Sequence, residues 1–132
     1  MIGKRLISLS KAIIEHEGWG PDDLRTLGAN EETPSYRNNN PGNLTYSPFA
    51  IGNRGRWAYF YTEEIGYFAL LWDLFQKCTG KTATGLTGQS TLEDLMHVYA
   101  PPIENDTGAY ISYIEAKTGL NRKTKLVELL AK

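Results

Sequence analysis

Cysteine is nearly absent from this sequence: Cys78 stands alone among 132 residues. An internal disulfide and a cysteine-based metal cluster are therefore both excluded, and the fold must stand on packing. Histidine is almost as scarce. His16 and His97 lie far apart in the chain and neither sits in a ligand spacing such as HxxxH or HExxH, so a zinc site is not expected. No apolar run is long enough to span a bilayer. No glycine run precedes a helix in a phosphate-loop pattern, and no serine sits in a nucleophile elbow. Charge of one sign is lacking too: the formal net charge is −1, which argues against a broad electrostatic grip on nucleic acid. The hydrophobic content of 41% and charged content of 22% give no sign of disorder. What remains is one compact domain, residues 1–132, with a single core.

Arg5 to Trp19, RLISLSKAIIEHEGW, organises the reading. Side chains placed about 100° apart put Leu6, Ile7, Leu9, Ile13 and Ile14 on one apolar arc of a helix. Glu17 follows Ile13 by four residues and falls near the middle of that arc, whereas Glu15 falls opposite, beside Lys11 and Ser8. Gly18 and Gly20 stop the helix there. A carboxyl in a buried last turn is desolvated and feels the negative end of the helix dipole. Both effects favour the neutral acid, which is how a general acid is made from glutamate. The competing reading has Glu17 solvated at a frayed end or paired with an arginine. An amphipathic helix also suits Met1 to Ile14 better than a secretory leader, because Lys11 and two serines interrupt the apolar part.

Beyond Glu17, Gly20-Pro21-Asp22-Asp23-Leu24 reads as a short helical turn. Residues 28–56 read as irregular, with a strong turn signal at 38–43, NNNPGN. Leu44-Thr45-Tyr46 and Trp57-Ala58-Tyr59-Phe60 are the strand candidates, joined as an antiparallel hairpin through Gly52, Asn53 and Gly55. Thr62 is expected to cap a long helix whose core face carries Ile65, Phe68, Ala69, Trp72 and Phe75. A capping box at Ser90 and Glu93 opens a helix through Tyr99, which Pro101-Pro102 ends. Ala109 to Lys117 and Thr124 to Leu130 complete the helices. The fold class is thus mainly α, an α+β layout with one small β element after the first helix.

With metal, phosphate-loop and serine chemistry set aside, carboxylates carry the expectation of catalysis. Glu17 is the best acid. Glu63, Glu64, Glu104 and Asp106 could supply a second, although each also has a capping or solvated role. One acid suffices for glycoside cleavage when the substrate brings its own nucleophile. Eight tyrosines and three tryptophans are a rich supply of flat amphipathic surface. Tyr46, Tyr59, Tyr61, Tyr99, Tyr110 and Tyr113 flank turns and helix ends. They either pack the core or, with the asparagines at 38–40, 43 and 105, line a carbohydrate groove.

Four segments, HEGW at 16–19, RNNNPGNL at 37–44, FYTEEIGYFALLWDL at 60–74 and YAPPIENDTGAYISYI at 99–114, occur in an order that resembles the lysozyme-like lytic transglycosylases, in particular small ones of bacteriophages and prophages. The resemblance runs from Leu6 to Gly119. It implies a lysozyme-like fold with a small β-hairpin lobe and Glu17 as catalytic acid/base. It also implies a groove-lining turn at 38–43 and an Asn–Thr–Tyr frame at Asn105, Thr107 and Tyr110, with one residue inserted after the Asn. The substrate-binding residues it suggests are Asn40, Asn43, Tyr46, Tyr61, Tyr99, Asn105 and Tyr110. Many relatives carry serine directly after the glutamate, where this chain has Gly18. The implied activity is cleavage of the β-1,4 bond between N-acetylmuramic acid and N-acetylglucosamine in peptidoglycan. It would use no cofactor and no metal, at the bacterial cell wall, in the periplasm or as part of a phage. Peptidoglycan glycan strands are the implied partner of a monomer, with no nucleic acid and no membrane insertion. The alternatives are a lysozyme or chitinase-like hydrolase and a non-catalytic cell-wall-binding virion protein.

Overall fold

The computed structural model describes residues 3–18 and 37–131. The turn expected at 20–24, Trp19 and the first part of the irregular stretch lie outside the described residues. Element order is α1 (Lys4–His16), β1 (Gly52–Arg54), β2 (Trp57–Tyr59), α2 (Glu63–Cys78), α3 (Leu92–Tyr99), α4 (Thr107–Thr118) and a closing 3-10 helix, Leu126–Leu130. This is a mainly α, α+β chain with one two-stranded antiparallel sheet among the described residues. No helix among them is long and apolar enough to cross a membrane. The chain divides into two compact units, Ile13–Asp73 and a second that joins Met1–Ala12 to Leu74–Lys132, so that α1 and α2 each contribute to both.

The unit Ile13–Asp73 starts with the last turn of α1. Ile13 is fully buried, as are Leu6 and Leu9 earlier on the same stripe. The helix closes at His16, one residue before Glu17, where the sequence reading ends it. Glu17 N donates to Ile13 O at 2.9 Å, Gly18 N donates to Glu15 O at 3.2 Å, and Gly18 takes φ 95°. Only glycine enters that region at no steric cost, so it ends the helix where it stands.

The hairpin is real but displaced. Gly52 pairs with Tyr59, Asn53 with Ala58 and Arg54 with Trp57, across a turn at Gly55-Arg56. Leu44-Thr45-Tyr46 is not a strand. Leu44 O instead accepts from Ala58 N at 3.0 Å, and Asn38 O accepts from Phe60 N at 2.9 Å, so the 38–44 segment lies along the free edge of β2. The fully buried Asn40 ties the two together. Its Nδ2 donates to Leu44 O at 2.8 Å and to Ala58 O at 2.9 Å, while its Oδ1 accepts from Leu44 N at 2.9 Å. An asparagine side chain that satisfies three buried backbone groups replaces a strand's worth of ladder.

Thr62 caps α2 as expected, its Oγ1 accepting from Ile65 N at 3.2 Å. The buried face differs from expectation: Gly66, Ala69, Leu70, Leu74 and Cys78 are buried, whereas Phe68 and Trp72 are 51% and 40% exposed. The buried stripe is centred on small residues because backbone must approach the helix at Gly66. A methyl group there would run into Asn39 O and would lie 3.0 Å from both Asn39 C and Pro41 Cδ. Phe68 and Trp72 instead meet Phe49 edge-on, with centroids 5.1 and 5.5 Å away.

In the other unit, Leu6 and Leu9 join a core that includes Leu92, Leu95, Met96 and Tyr110, all essentially without exposure. The expected capping box sits one residue later, at Thr91 and Asp94. Thr91 Oγ1 accepts from Asp94 N at 3.1 Å, and Asp94 Oδ2 accepts from Thr91 N at 2.9 Å. Ser90 is instead committed to the bridge that pins the C-terminal segment, where its carbonyl accepts from Leu126 N at 2.8 Å. Asp106 caps α4, which Gly119 closes at φ 73°. The last expected helix narrows to the 3-10 turn at Leu126–Leu130. Three carboxyls here are held below their ordinary range: Glu93 by the Lys123 ammonium, Asp94 by the Thr91 backbone N–H, and Glu115 by the Arg122 guanidinium at 2.8 Å.

Candidate active site around Glu17

Glu17 stands just past the last residue of α1, half-buried, on the rim rather than within the apolar stripe. Glu15, on the opposite side, is exposed as expected. The decisive contact comes from 26 residues downstream: Asn43 Nδ2 donates to Glu17 Oε1 at 2.9 Å. Two residues that the sequence reading singled out separately, the acid and the last asparagine of the NNNPGN turn, are thus bonded side chain to side chain.

The turn is built to deliver that amide. Asn43 and Asn39 both adopt φ 51°, a left-handed conformation that asparagine tolerates better than most side chains. Asn43 N donates to Asn40 O at 2.9 Å, and Asn40 is locked by its three backbone bonds. Asn39 Nδ2 reaches Phe60 O at 3.1 Å and Tyr61 O at 3.4 Å, fastening the turn to the segment that leads into α2. Gly66 then lets the turn's backbone rest on the helix.

One buried acceptor is sacrificed in this arrangement. Among the described residues Asn43 Oδ1 has no hydrogen-bond partner. An unmet buried acceptor costs about 1–3 kcal/mol. The alternative, turning the oxygen toward Glu17, would set a carbonyl dipole against a carboxylate, whereas an N–H to an ionised acceptor makes one of the stronger hydrogen bonds. The amide is therefore oriented for the carboxylate at the expense of its own oxygen.

The other candidates fall into place by unit. Beside Glu17, Asn40 and Asn43, the unit Ile13–Asp73 holds Tyr46 and Tyr61, 73% and 77% exposed, as flat surfaces open to solvent. Asn40 spends its side chain on backbone and acts by shaping the turn. In the second unit, Tyr99 is half-buried with the Lys77 ammonium 5.5 Å from its ring centre. Asn105 is exposed, its Nδ2 donating to Pro101 O at 3.3 Å. Tyr110 is 1% exposed in α4. Thr107, from the same frame, is buried and donates to Ala100 O at 2.6 Å. Of the other acids weighed as a second catalytic group, Glu63 and Glu64 are exposed in the first turn of α2 and Glu104 is exposed after Pro101-Pro102; Asp106 is the cap of α4.

Sequence reasoning missed Gly66 as a positioning residue. The signal was present in its place: a glycine one turn into a strong helix has a helix-propensity cost of about 1 kcal/mol that only a packing need explains. No protein-family model, no curated protein and no solved structure matches this chain.

Proposed function

We propose that this protein is a peptidoglycan lytic transglycosylase with Glu17 as its acid/base. The observation that carries the proposal is the Asn43–Glu17 hydrogen bond. The sequence resemblance named HEGW, RNNNPGNL and FYTEEIGYFALLWDL as separate pieces. In the fold all three meet, through Glu17, Asn43 and Gly66, in one unit. A carboxyl fixed by a rigid amide, with exposed tyrosines at 46 and 61 in the same unit, suits a general acid that works on a sugar chain.

In the proposed reaction Glu17, in its acid form, gives its proton to the glycosidic oxygen as the bond to the muramic anomeric carbon breaks. Asn43 holds Oε1 and so fixes the orientation of the carboxyl that makes the transfer. The muramic 6-hydroxyl oxygen then bonds to the anomeric carbon and returns its proton to Glu17. Intramolecular attack has an effective concentration far above that of a loosely held water. Asn43 keeps the carboxylate aimed during the step in which it is charged.

Gly18 fits this scheme. At φ 95° a serine at that position would be strained, so the helix stop and a serine hydroxyl beside Glu17 exclude one another here. The amide of Asn43 supplies the neighbouring hydrogen-bonding group instead. Mass spectrometry of products from purified cell walls tests the proposal. The expected products end in 1,6-anhydromuramic acid, lighter by one water than hydrolysis products. A dominance of reducing muramic ends would make the protein a lysozyme, and release from chitin oligomers in preference to peptidoglycan would make it a different glycosidase.

A further inference from the structure

The hairpin carries a second constellation that cleavage does not use. Register places Gly52 opposite Tyr59 and Arg54 opposite Trp57, so these four side-chain positions share one face of the two-stranded sheet, while the buried Ala58 takes the other. On the shared face the Arg54 guanidinium carbon lies 4.3 Å from the centre of the Tyr59 ring. The Tyr59 ring can lie there because Gly52 has no side chain: a Cβ would meet the ring at 3.2 Å. Next to this stack the Arg56 guanidinium carbon lies 4.7 Å from the centre of the Trp57 ring.

Arg54 is also anchored along one edge. Its Nη1 donates to Arg37 O at 3.3 Å and to Asn38 Oδ1 at 3.5 Å. Those acceptors are neutral, and among the described residues no carboxylate pairs with this exposed guanidinium. A stacked arginine with one nitrogen engaged has lost most of its rotamer freedom before any ligand arrives, and its planar fork matches a carboxylate. Arginine in this state recognises an anion at a lower entropic cost than a free surface arginine.

We propose that the Arg54–Tyr59 stack is a binding site for a carboxylate, and, resting on the peptidoglycan reading for its source, that this is the carboxylate of the peptide stem borne by muramic acid. The site makes the protein prefer peptide-substituted strands to bare glycan. Two stacked arginines on one short hairpin, in a chain of net charge −1, suit a small anion better than a nucleic-acid backbone.

The test uses N-acetylmuramyl-tripeptide, which holds no glycosidic bond to cleave, and the same molecule with its carboxyls amidated. Affinities come from calorimetry, and the Arg54 Nε–H resonance from NMR. The free carboxylate form is expected to bind about fivefold tighter than the amide, the range of an exposed but well-oriented ion pair, and to shift the Arg54 resonance. Arg54→Gln should erase the difference, and Arg54→Lys should keep part of it through charge alone. Equal affinity for the two forms, a difference that survives Arg54→Gln, or no binding of either would overturn the proposal. So would tight salt-dependent binding of a single-stranded oligonucleotide without a carboxylate preference. Clearing of cell walls by the wild type and by Glu17→Gln, run alongside, tests the cleavage reading by itself.

Discussion

Gly66→Ala separates what α2 wants as a helix from what the site needs from it. By helix propensity alone, alanine for glycine in a helix stabilises by about 1 kcal/mol. The structure opposes this. The new methyl runs into the Asn39 carbonyl oxygen and crowds Asn39 C and Pro41 Cδ, both at 3.0 Å. The obstruction is backbone and a proline ring, neither of which can swing aside as a flexible side chain would. Overpacking of this kind costs about 1–3 kcal/mol, so after the helix gain of about 1 kcal/mol is subtracted the net change is a loss of up to about 2 kcal/mol. For a chain of 132 residues that corresponds to a fall of up to about 7 °C in Tm.

The larger effect falls on the site. The turn must retreat from α2, and it carries Asn43. The Asn43–Glu17 bond is 2.9 Å long, so a retreat of about 1 Å takes it past any useful hydrogen-bond length. Misplacement on that scale costs about 10²-fold in rate. Thermal unfolding and turbidity clearing of cell walls, with rates corrected for the folded fraction, give the two numbers separately. A Tm that rises with unchanged clearing would refute the reasoning, because the helix gain would then have met no resistance from the turn.

Further outcomes follow from the same geometry. Glu17→Gln should stay folded and lose about 10²–10⁴-fold of turnover, with Glu15→Gln as a nearly silent control, since general acid–base help is worth that much; clearing assays on both check it. Asn43→Gly keeps the left-handed backbone at φ 51° and removes only the side chain, so Tm should hold while turnover falls; loss of Tm without loss of turnover would make Asn43 a purely structural residue. Acid unfolding should weaken the unit that holds α3 and α4. Glu93, Asp94 and Glu115 have folded-state values below their ordinary 4.5, 3.8 and 4.5, so the stability they add is complete above those values and is lost as pH falls through the lower folded ones. Glu115→Gln should flatten the dependence of urea midpoint on pH below about 4.5, and a slope equal to the wild type's would remove the Arg122 pair from the explanation.

Local chemistry was legible wherever it was decided within a few residues. The stripe of Leu6, Leu9 and Ile13, the stop at Gly18 and the cap at Thr62 all need only their neighbours, and all stand where the sequence put them, within a residue or two. The errors came where a distant segment chose. Leu44 looks like strand because it is apolar between turn residues, yet its carbonyl serves β2 from outside any ladder while Asn40 does the bonding. Ser90 and Glu93 satisfy the capping-box spacing as well as Thr91 and Asp94 do. The choice fell to the C-terminal segment, whose Leu126 N claims the Ser90 carbonyl.

The site divides along the same line. That Glu17 ends a helix can be read from fifteen residues. That its partner is Asn43, and not Asn38, Asn39 or Asn40, cannot, because the four amides are chemically alike and differ only in backbone. Asn38 and Asn40 are turned inward and buried, Asn39 faces the approach to α2, and Asn43 alone points its amide at the acid. Those directions follow from two left-handed residues and from how closely the turn settles on Gly66. The pairing of Glu17 with Asn43 is therefore fixed by a glycine that touches neither of them. A sequence carrying HEG and NNNPGN with a larger residue at that helix position should hold the acid and the amides without bringing them together.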